Sequence, residues 1–168
     1  PLTKEGRFMT RHLANDDFFN KTRKKPWFVN ASRGAVHDTP ALLNALRSGK
    51  IGEAVIDCWE NEPAIDRELL DRVTIATPHI AGFSADGKAN GTRTCLENIE
   101  RFFNVKIEKL KEVMPPAPEN PVIDLADIKE HRIEQAILKS FDPLTIDKML
   151  RDTPENFEWF RTNYHHPR

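Results

Sequence analysis

Cysteine and glycine are scarce in this sequence of 168 residues, which contains two cysteines and seven glycines. Cys58 and Cys95 are too few for a disulfide framework, and neither belongs to a C-x-x-C pair. We therefore expect reduced thiols and no metal site. The sequence also has no G-x-G-x-x-G motif, the glycine-rich turn that cradles the pyrophosphate of a dinucleotide.

Long apolar runs and a strong charge of either sign are also missing. No uninterrupted apolar segment approaches the roughly 18 residues that a membrane-spanning helix needs, and the first residues, PLTKEGRFMT, hold no apolar signal segment. We expect a cytoplasmic protein without a membrane partner. Lys and Arg number 25 and Asp and Glu 26, so the net charge of −1 gives no reason to expect nucleic acid as a partner.

The composition that remains is typical of a globular α/β protein. Hydrophobic residues make up 39% of the chain and charged residues 30%. Three short apolar, β-prone segments predict buried strands at residues 27–31, 54–57 and 73–77. Because helix-sized segments separate them, we expect a parallel sheet covered on both faces.

Capping residues predict where the helices begin, because Ser, Thr and Asn side chains accept hydrogen bonds from the first N–H groups of a helix. The longest predicted helix follows Ser84 and carries an apolar stripe that ends at Phe103. The other expected caps are Asn15, Thr39 (before Pro40) and Thr153. Two further helical segments are expected at 128–141 and 143–151.

Composition divides the chain into three parts. Residues 1–104 hold the predicted sheet and the long returning helix, 105–121 form a proline-rich linker, and 122–168 form a small, mainly helical segment. This last segment has about 47 residues, too few to bury a core of its own. We therefore expect it to pack against another surface, that of a second subunit.

Polar side chains follow each of the three predicted strands. The stretches are NASRG at 30–34, DCWENEP at 57–63 and PH at 78–79. Ligands of open parallel sheets bind beyond the carboxyl ends of the strands. An arginine, several carboxylates and a histidine are therefore expected to meet at one edge of the sheet.

Each of these residues can also be explained by a structural or surface role, without catalysis or binding. His79 fits a structural histidine, and Arg33 fits a surface side chain beside a glycine turn. The acidic residues fit a solvated loop or a turn cap: Glu60, Glu62 and Asp57. Convergence on one sheet edge favours a functional site over these alternatives. The remaining histidines considered have no companions in the sequence that suggest ligands: His12, His37 and His131.

Arginine, carboxylate and histidine together are suited to moving a proton while holding an anion. A guanidinium binds a substrate carboxylate through two parallel hydrogen bonds and stabilises negative charge on a reacting oxygen. A carboxylate beside an imidazole orients the ring, which can take a proton from an alcohol or return one to a ketone.

Three motifs, in this order and at these separations, resemble the D-2-hydroxyacid dehydrogenases that use NAD: NASRG at 30–34, DCWENEP at 57–63 and TPHIAGFS at 77–84. The resemblance implies a Rossmann-type doubly wound parallel sheet. It implies that His79, polarised by Glu62, accepts the hydroxyl proton while Arg33 holds the substrate carboxylate. It also places five residues at the nicotinamide end of NAD: Ala31, Ser32, Arg33, Asp57 and Gly82.

One branch of this family fits best, through IAGFSADGKANGT at 80–92. That branch acts on a small phosphorylated hydroxyacid and carries a C-terminal dimerisation segment after the returning helix. The resemblance therefore implies a homodimer formed through residues 122–168. Phe83 stands where these enzymes commonly have a tyrosine that contacts the substrate, so the hydroxyl of that contact is missing here.

The resemblance places the glycine-rich turn, the ribose-binding acid and most of the substrate domain before residue 1. We therefore expect the chain to be the C-terminal portion of a longer enzyme, inactive alone. Three functions stay open at this point. They are a dehydrogenase of the phosphorylated hydroxyacid or of another 2-hydroxyacid such as 3-phosphoglycerate, an NAD-binding scaffold without catalysis, and a dimerisation module.

Overall fold

The computed structural model describes residues 2–118 and 121–164. In chain order its elements are α1 (Asp16–Asn20), β1 (Trp27–Asn30), α2 (Thr39–Arg47), β2 (Glu53–Ile56), α3 (Arg67–Arg72), β3 (Ile75–Ala76), α4 (Ala85–Phe103), α5 (Arg132–Ser140), α6 (Pro143–Asp152) and α7 (Phe157–Thr162). Short 3-10 turns lie at Gly34–Val36, Leu110–Glu112 and Pro154–Asn156. Within the described part, no helix is both long and apolar enough to cross a membrane.

The three strands form one sheet in the order β1-β2-β3. Both neighbouring pairs are parallel, so the carboxyl ends of the strands lie at one edge. The predicted α/β fold is confirmed. The third strand is shorter than the predicted 73–77, because the N–H of Val73 donates to the carbonyl of Leu69 and ends α3 there.

One face of the sheet forms the core. Ala54 and Ile56 of β2 are fully buried, in the same cluster as Leu42 of α2. Burying a leucine side chain contributes roughly 1.5–3 kcal/mol. On the opposite face of β1, Trp27 and Val29 are 63% and 62% exposed. The described residues therefore leave this face of β1 uncovered, whereas the sequence predicted cover on both faces.

The predicted caps of α1 and α4 are confirmed. The side chains of Asn15 and Ser84 each accept a hydrogen bond from a backbone N–H three residues further on. The predicted cap of α2 is wrong by one position. Thr39 is already helical, and the carboxylate of Asp38 caps the helix by accepting from the N–H of Ala41.

Two predictions in the C-terminal part are wrong in detail. Thr153 caps no helix, because its hydroxyl donates 3.2 Å back to the carbonyl of Met149 in α6. A 3-10 turn follows it, so α7 begins only at Phe157. The helix predicted over 128–141 starts later, at Arg132.

The chain groups into two compact units. The first combines residues 2–81 with 143–164, and the second is 82–142. Leu150, Phe157 and Phe160 are at most 5% exposed and belong to the core cluster of the first unit. The segment expected at 122–168 is thus divided, because its last helices complete this core instead of forming one body with α5.

Two charged side chains of α6 bind the backbone of β3 and of the C-terminal end of α3. The carboxylate of Asp147 accepts a hydrogen bond from the N–H of Ala76 at 2.7 Å. Arg151 lies 2.8 Å from Asp147 and donates to the carbonyl of Val73 at 2.9 Å and to that of Leu70. The bond to Ala76 occupies a backbone group that an exposed strand edge would leave open, and the bonds of Arg151 occupy carbonyls at the C-terminal end of α3.

The second unit contains the helices α4 and α5. Asn104 ends α4 with a left-handed backbone, φ 52°, a conformation that asparagine tolerates better than most residues. Phe102 and Phe103 near this end are 82% and 65% exposed. Ile133 and Ile137 of α5 are 75% and 60% exposed. The unit therefore presents large apolar side chains that its own residues do not bury.

Candidate active site

His79 and Glu62 form a hydrogen-bonded pair beyond the carboxyl ends of β3 and β2. Nδ1 of His79 lies 2.8 Å from Oε2 of Glu62, and the two side chains are 20% and 18% exposed. A carboxylate only accepts hydrogen bonds, so Nδ1 carries the proton and donates it. In the neutral ring, Nε2 is then the acceptor, the state that taking a proton from an alcohol requires.

The second oxygen of Glu62 is held by the main chain. Oε1 accepts a hydrogen bond from the N–H of Trp59 at 2.7 Å. The indole N–H of Trp59, which is buried, donates to the carbonyl of Thr77 at 2.9 Å. Trp59 therefore joins the loop that carries Glu62 to the segment that carries His79.

The backbone of His79 adopts an uncommon conformation. Its φ is 57°, in the left-handed region, which costs a non-glycine residue roughly 1–2 kcal/mol. The N–H of His79 donates to the carbonyl of Asp57 at 2.8 Å, which helps to hold this conformation. The ring is thus placed by its backbone as well as by Glu62.

Asp57 fastens the turn that follows His79. Its Oδ1 accepts hydrogen bonds from the hydroxyl of Thr77 at 2.6 Å and the N–H of Ile80 at 2.8 Å, and Oδ2 accepts from the N–H of Ala81 at 3.1 Å. Asp57 is 4% exposed. The carboxylate is therefore engaged by its own chain, and its predicted contact with the cofactor stays a prediction.

The thiol of Cys58, next to Asp57, is not suited to nucleophilic chemistry. Burial, and then the negative charge of Asp57, raise the pKa of Cys58 to about 12. The thiolate is the reactive form of cysteine, so this side chain stays protonated and inert near neutral pH.

Asn30 shapes the turn after β1. Its Oδ1 accepts from the N–H and the hydroxyl of Ser32, at 3.2 and 2.9 Å, and its Nδ2 donates to the carbonyl of Arg33 at 3.0 Å. Ala31, Ser32 and Arg33 are exposed. The guanidinium of Arg33 donates to the carbonyl of Ser32 at 2.6 Å. The predicted role of Arg33 in the site stays a prediction.

Gly34 allows the first loop to approach the second. A Cβ atom added at Gly34 would lie 1.8 Å from the carbonyl oxygen of Trp59 and 2.7 Å from the nitrogen of Glu60. Both are backbone atoms, which a rotamer change cannot move away. Only glycine therefore permits this contact between the loops that carry Arg33 and Glu62.

The structure joins three of the predicted site residues through one set of hydrogen bonds: Asp57, Glu62 and His79. Two of the other predicted positions, Gly82 and Phe83, belong to the second unit. There the ammonium of Lys88 lies 4.8 Å from the centre of the Phe83 ring.

Sequence reasoning missed a second histidine–glutamate pair. His12 was expected to have no companion, but its Nε2 lies 2.6 Å from Oε1 of Glu60. The two residues are separated by 48 positions, and only the place of Glu60 in the second motif could have drawn attention to it. Burial and the charge of Asp57 raise the pKa of Tyr164 to about 12, so the hydroxyl stays protonated.

Residues 1–81 match the family model described as "D-isomer specific 2-hydroxyacid dehydrogenase, NAD binding domain". This part of the chain belongs to that family. The parallel sheet and the histidine–glutamate pair at its carboxyl edge agree with the resemblance that the three motifs suggested, and that resemblance is confirmed.

Curated relatives define the branch of the family more closely. The chain is 52% identical over 169 residues to the erythronate-4-phosphate dehydrogenase of Porphyromonas gingivalis, covering 100% of this chain and 46% of that protein. It is 49% identical to the enzyme of that name from Bacteroides thetaiotaomicron, covering 98% and 45%. The chain thus spans about half the length of the curated relatives it matches.

Solved structures agree with this assignment of the fold. The apo form of D-mandelate dehydrogenase from Rhodotorula graminis is 31% identical with a TM-score of 0.53, over 68% of this chain and 33% of that one. The holo form of the same enzyme is 34% identical with a TM-score of 0.51, over 58% and 29%.

Proposed function

We propose that this chain is the portion of an erythronate-4-phosphate dehydrogenase that carries its acid–base residues. The intact enzyme would oxidise 4-phospho-D-erythronate to the 2-oxo acid with NAD, a step in pyridoxal phosphate biosynthesis. The observation that carries the proposal is the 2.8 Å contact between Nδ1 of His79 and Oε2 of Glu62. The substrate assignment is supported by the relatives of that name, which match 98–100% of the chain.

His79 is the proton acceptor in this proposal. Because Nδ1 donates to Glu62, Nε2 takes the proton of the substrate hydroxyl as C2 is oxidised. The imidazolium that forms is stabilised by the carboxylate 2.8 Å away. In the reverse direction the same ring returns the proton to the ketone.

Arg33 is the anchor for the substrate carboxylate. Its exposed guanidinium has five N–H donors, of which one on Nη1 reaches the carbonyl of Ser32. The remaining donors can form two parallel bonds to a carboxylate, which a lysine could not do. The same positive charge would stabilise negative charge that develops on the C2 oxygen.

The residues beyond the strands fit the nicotinamide end of NAD, which supplies the hydride acceptor. Ala31 and Ser32 are exposed at the end of β1, which leaves room for a flat ring there. We assign Ala31, Ser32, Arg33, Asp57 and Gly82 to this end. The sequence has no glycine-rich pyrophosphate turn, so that share of the cofactor site is not assigned to this chain.

Phe83 is proposed to line the substrate site. Its ring contributes an apolar wall and the ring face is close to the ammonium of Lys88, at 4.8 Å from the ring centre. Because phenylalanine has no hydroxyl, substrate binding at this position would rest on shape and on the neighbouring charge.

We also propose that the intact enzyme is a cytoplasmic homodimer that pairs through residues 122–168. Within this range, Ile133 and Ile137 are 75% and 60% exposed on one helix, α5. Apolar surface of this kind is typical of an interface. Activity would require more than this chain, since it spans less than half of its relatives and leaves Trp27 and Val29 exposed on β1.

The test measures NADH formation by the purified complete gene product. With 4-phospho-D-erythronate, 3-phosphoglycerate and D-lactate offered separately, kcat/KM should be highest for 4-phospho-D-erythronate. A preference for 3-phosphoglycerate would reassign the substrate, and binding of NAD without turnover of any hydroxyacid would favour a scaffold. The 168-residue chain alone serves as the control, and an undiminished rate from it would contradict the need for further residues.

A further inference from the structure

Two histidine–glutamate pairs share one loop. Glu60 and Glu62 are separated by a single residue, Asn61, and each binds a different histidine. Oε2 of Glu62 receives Nδ1 of His79 at 2.8 Å, and Oε1 of Glu60 receives Nε2 of His12 at 2.6 Å. The second pair has no part in the proposed proton transfer.

Glu60 links three segments of the first unit. While Oε1 faces His12, Oε2 accepts a hydrogen bond from the N–H of Thr39 at 2.8 Å, at the start of α2. A carboxylate is well placed there, because the first N–H groups of a helix lack partners within the helix. The loop between β2 and α3 is thus anchored to α2 by one side chain.

His12 is itself held in place by the main chain. Its N–H donates to the carbonyl of Ala35 at 2.7 Å, and its backbone lies in the left-handed region at φ 50°. Nδ1 lies 3.7 Å from the carboxylate of Asp38. The side chains of His12 and Glu60 are 34% and 15% exposed, so the pair is partly shielded from water.

Glu60 remains ionised in this setting. Burial acts to raise the pKa of Glu60, but hydrogen bonds from His12 and Thr39 outweigh it, and the pKa is lowered. The link between the loop and α2 is therefore a charge-assisted one, which is stronger than a bond between neutral groups.

The backbone that links the two histidine–glutamate pairs is short and restrained. Asn61 has a left-handed backbone at φ 60°, and the N–H of Trp59 is bonded to Oε1 of Glu62 at 2.7 Å. Within a turn this tight, a shift of Glu60 moves the backbone that carries Glu62.

We propose that His12 and Glu60 are positioning residues, which hold the loop so that Glu62 meets Nδ1 of His79. This inference rests on the proposed function, because the pair positioned is the proposed proton acceptor. His12 and Glu60 contact neither substrate nor cofactor in this account and act only through the loop.

The test compares His12→Ala with His12→Gln in the complete gene product. Alanine removes the donor to Glu60, whereas the amide of glutamine can still donate to it. We expect kcat to fall about 10-fold for alanine, with KM for the hydroxyacid little changed, since small misplacements of catalytic groups cost up to about 10²-fold. Glutamine should restore most of the loss. Glu60→Gln retains an acceptor for Thr39 but loses the charge. Its kcat should lie between those of His12→Ala and His12→Gln.

The matched control is Asp71→Ala, at an exposed side chain of α3 in the first unit. It should leave kcat unchanged. Equal kcat values for His12→Ala and the wild type would overturn the proposal, and so would equal losses for alanine and glutamine with unchanged thermal stability.

A second readout does not depend on activity. In nitrogen-15 NMR of the same protein, the Nδ1 proton of His79 should be protected from exchange in the wild type and in His12→Gln, and exchange faster in His12→Ala. If this pattern holds while the wild type oxidises no hydroxyacid, the positioning role stands and the proposed function fails. If the wild type is active and the Nδ1 signal is the same in all variants, the positioning role fails alone.

Discussion

The carboxylate of Asp147 in α6 accepts a hydrogen bond from the backbone N–H of Ala76 in β3 at 2.7 Å. A side chain from the C-terminal part thus fills the place that a neighbouring strand would take. His79 lies three residues after Ala76, so α6 stabilises the strand that leads directly to the proposed proton acceptor.

Replacing Asp147 with alanine should destabilise the first unit. The N–H of Ala76 would lose its acceptor and Arg151 would lose the carboxylate 2.8 Å away, and an unsatisfied buried group costs about 1–3 kcal/mol. Urea unfolding followed by circular dichroism measures the change. Glu158→Ala is the control, since Glu158 is 60% exposed and 3.7 Å from Arg161. Similar urea midpoints for both variants would contradict this stabilising role of Asp147.

Gly34→Ala should disturb the site more than its size suggests. The new Cβ would lie 1.8 Å from the carbonyl oxygen of Trp59, so the two loops must separate. We expect a loss of stability of about 1–3 kcal/mol, the usual range for overpacking. Gly91→Ala is the matched control, because a Cβ there meets no atom within 4 Å and alanine favours a helix by roughly 0.5–1 kcal/mol. Thermal unfolding should therefore move in opposite directions for the two variants.

His79→Ala in the complete gene product should abolish most of the dehydrogenase activity. General acid–base catalysis typically contributes about 10²- to 10⁴-fold, and kcat should fall within that range. Binding of NAD, measured by calorimetry, should be retained, since the imidazole acts on the substrate hydroxyl. An unchanged kcat would mean that His79 has only a structural role.

His37 should make the fold sensitive to acid. Burial, the largest effect, lowers the pKa of His37 from 6.5 to about 4, opposed by Glu60 and Asp38 and assisted by His12. The unfolded chain binds this proton below pH 6.5 and the folded chain does not, so stability is present above 6.5 and is lost as the pH falls towards 4. At about 1.4 kcal/mol per pKa unit, the loss amounts to roughly 3 kcal/mol.

The measurement compares His37→Gln with the wild type. Urea unfolding at several pH values from 6.5 down to 4 should show a steeper loss of stability in the wild type. His131→Gln, at an exposed position, should follow the wild-type curve. Parallel curves for His37→Gln and the wild type would mean that His37 takes up its proton without unfolding.

Features set by neighbouring residues could be predicted from the sequence. Asn15 and Ser84 cap their helices as expected, because the groups that they bind lie three residues away. Asp38 was missed in favour of Thr39 because both residue types cap helices, and only the backbone shows which one precedes the first turn.

The location of the candidate site could be predicted from the sequence because parallel strands bring their carboxyl ends together at one edge of the sheet. That geometry, with the family resemblance, predicted that His79 and Glu62 would serve one site, and they lie in hydrogen-bonding contact. Contacts between distant positions could not be predicted. Nothing in the sequence pairs Asp147 with Ala76 across 71 positions, since that contact depends on how α6 packs.

The hydrogen bond between Asp147 of α6 and Ala76 of β3 has a consequence for folding during synthesis. The chain leaves the ribosome from its N-terminus, so β3 is made well before Asp147 is available to bind it. Until Asp147 emerges, the nascent sheet carries an open edge that another polypeptide could pair with, and α6 then protects this edge against such misassembly.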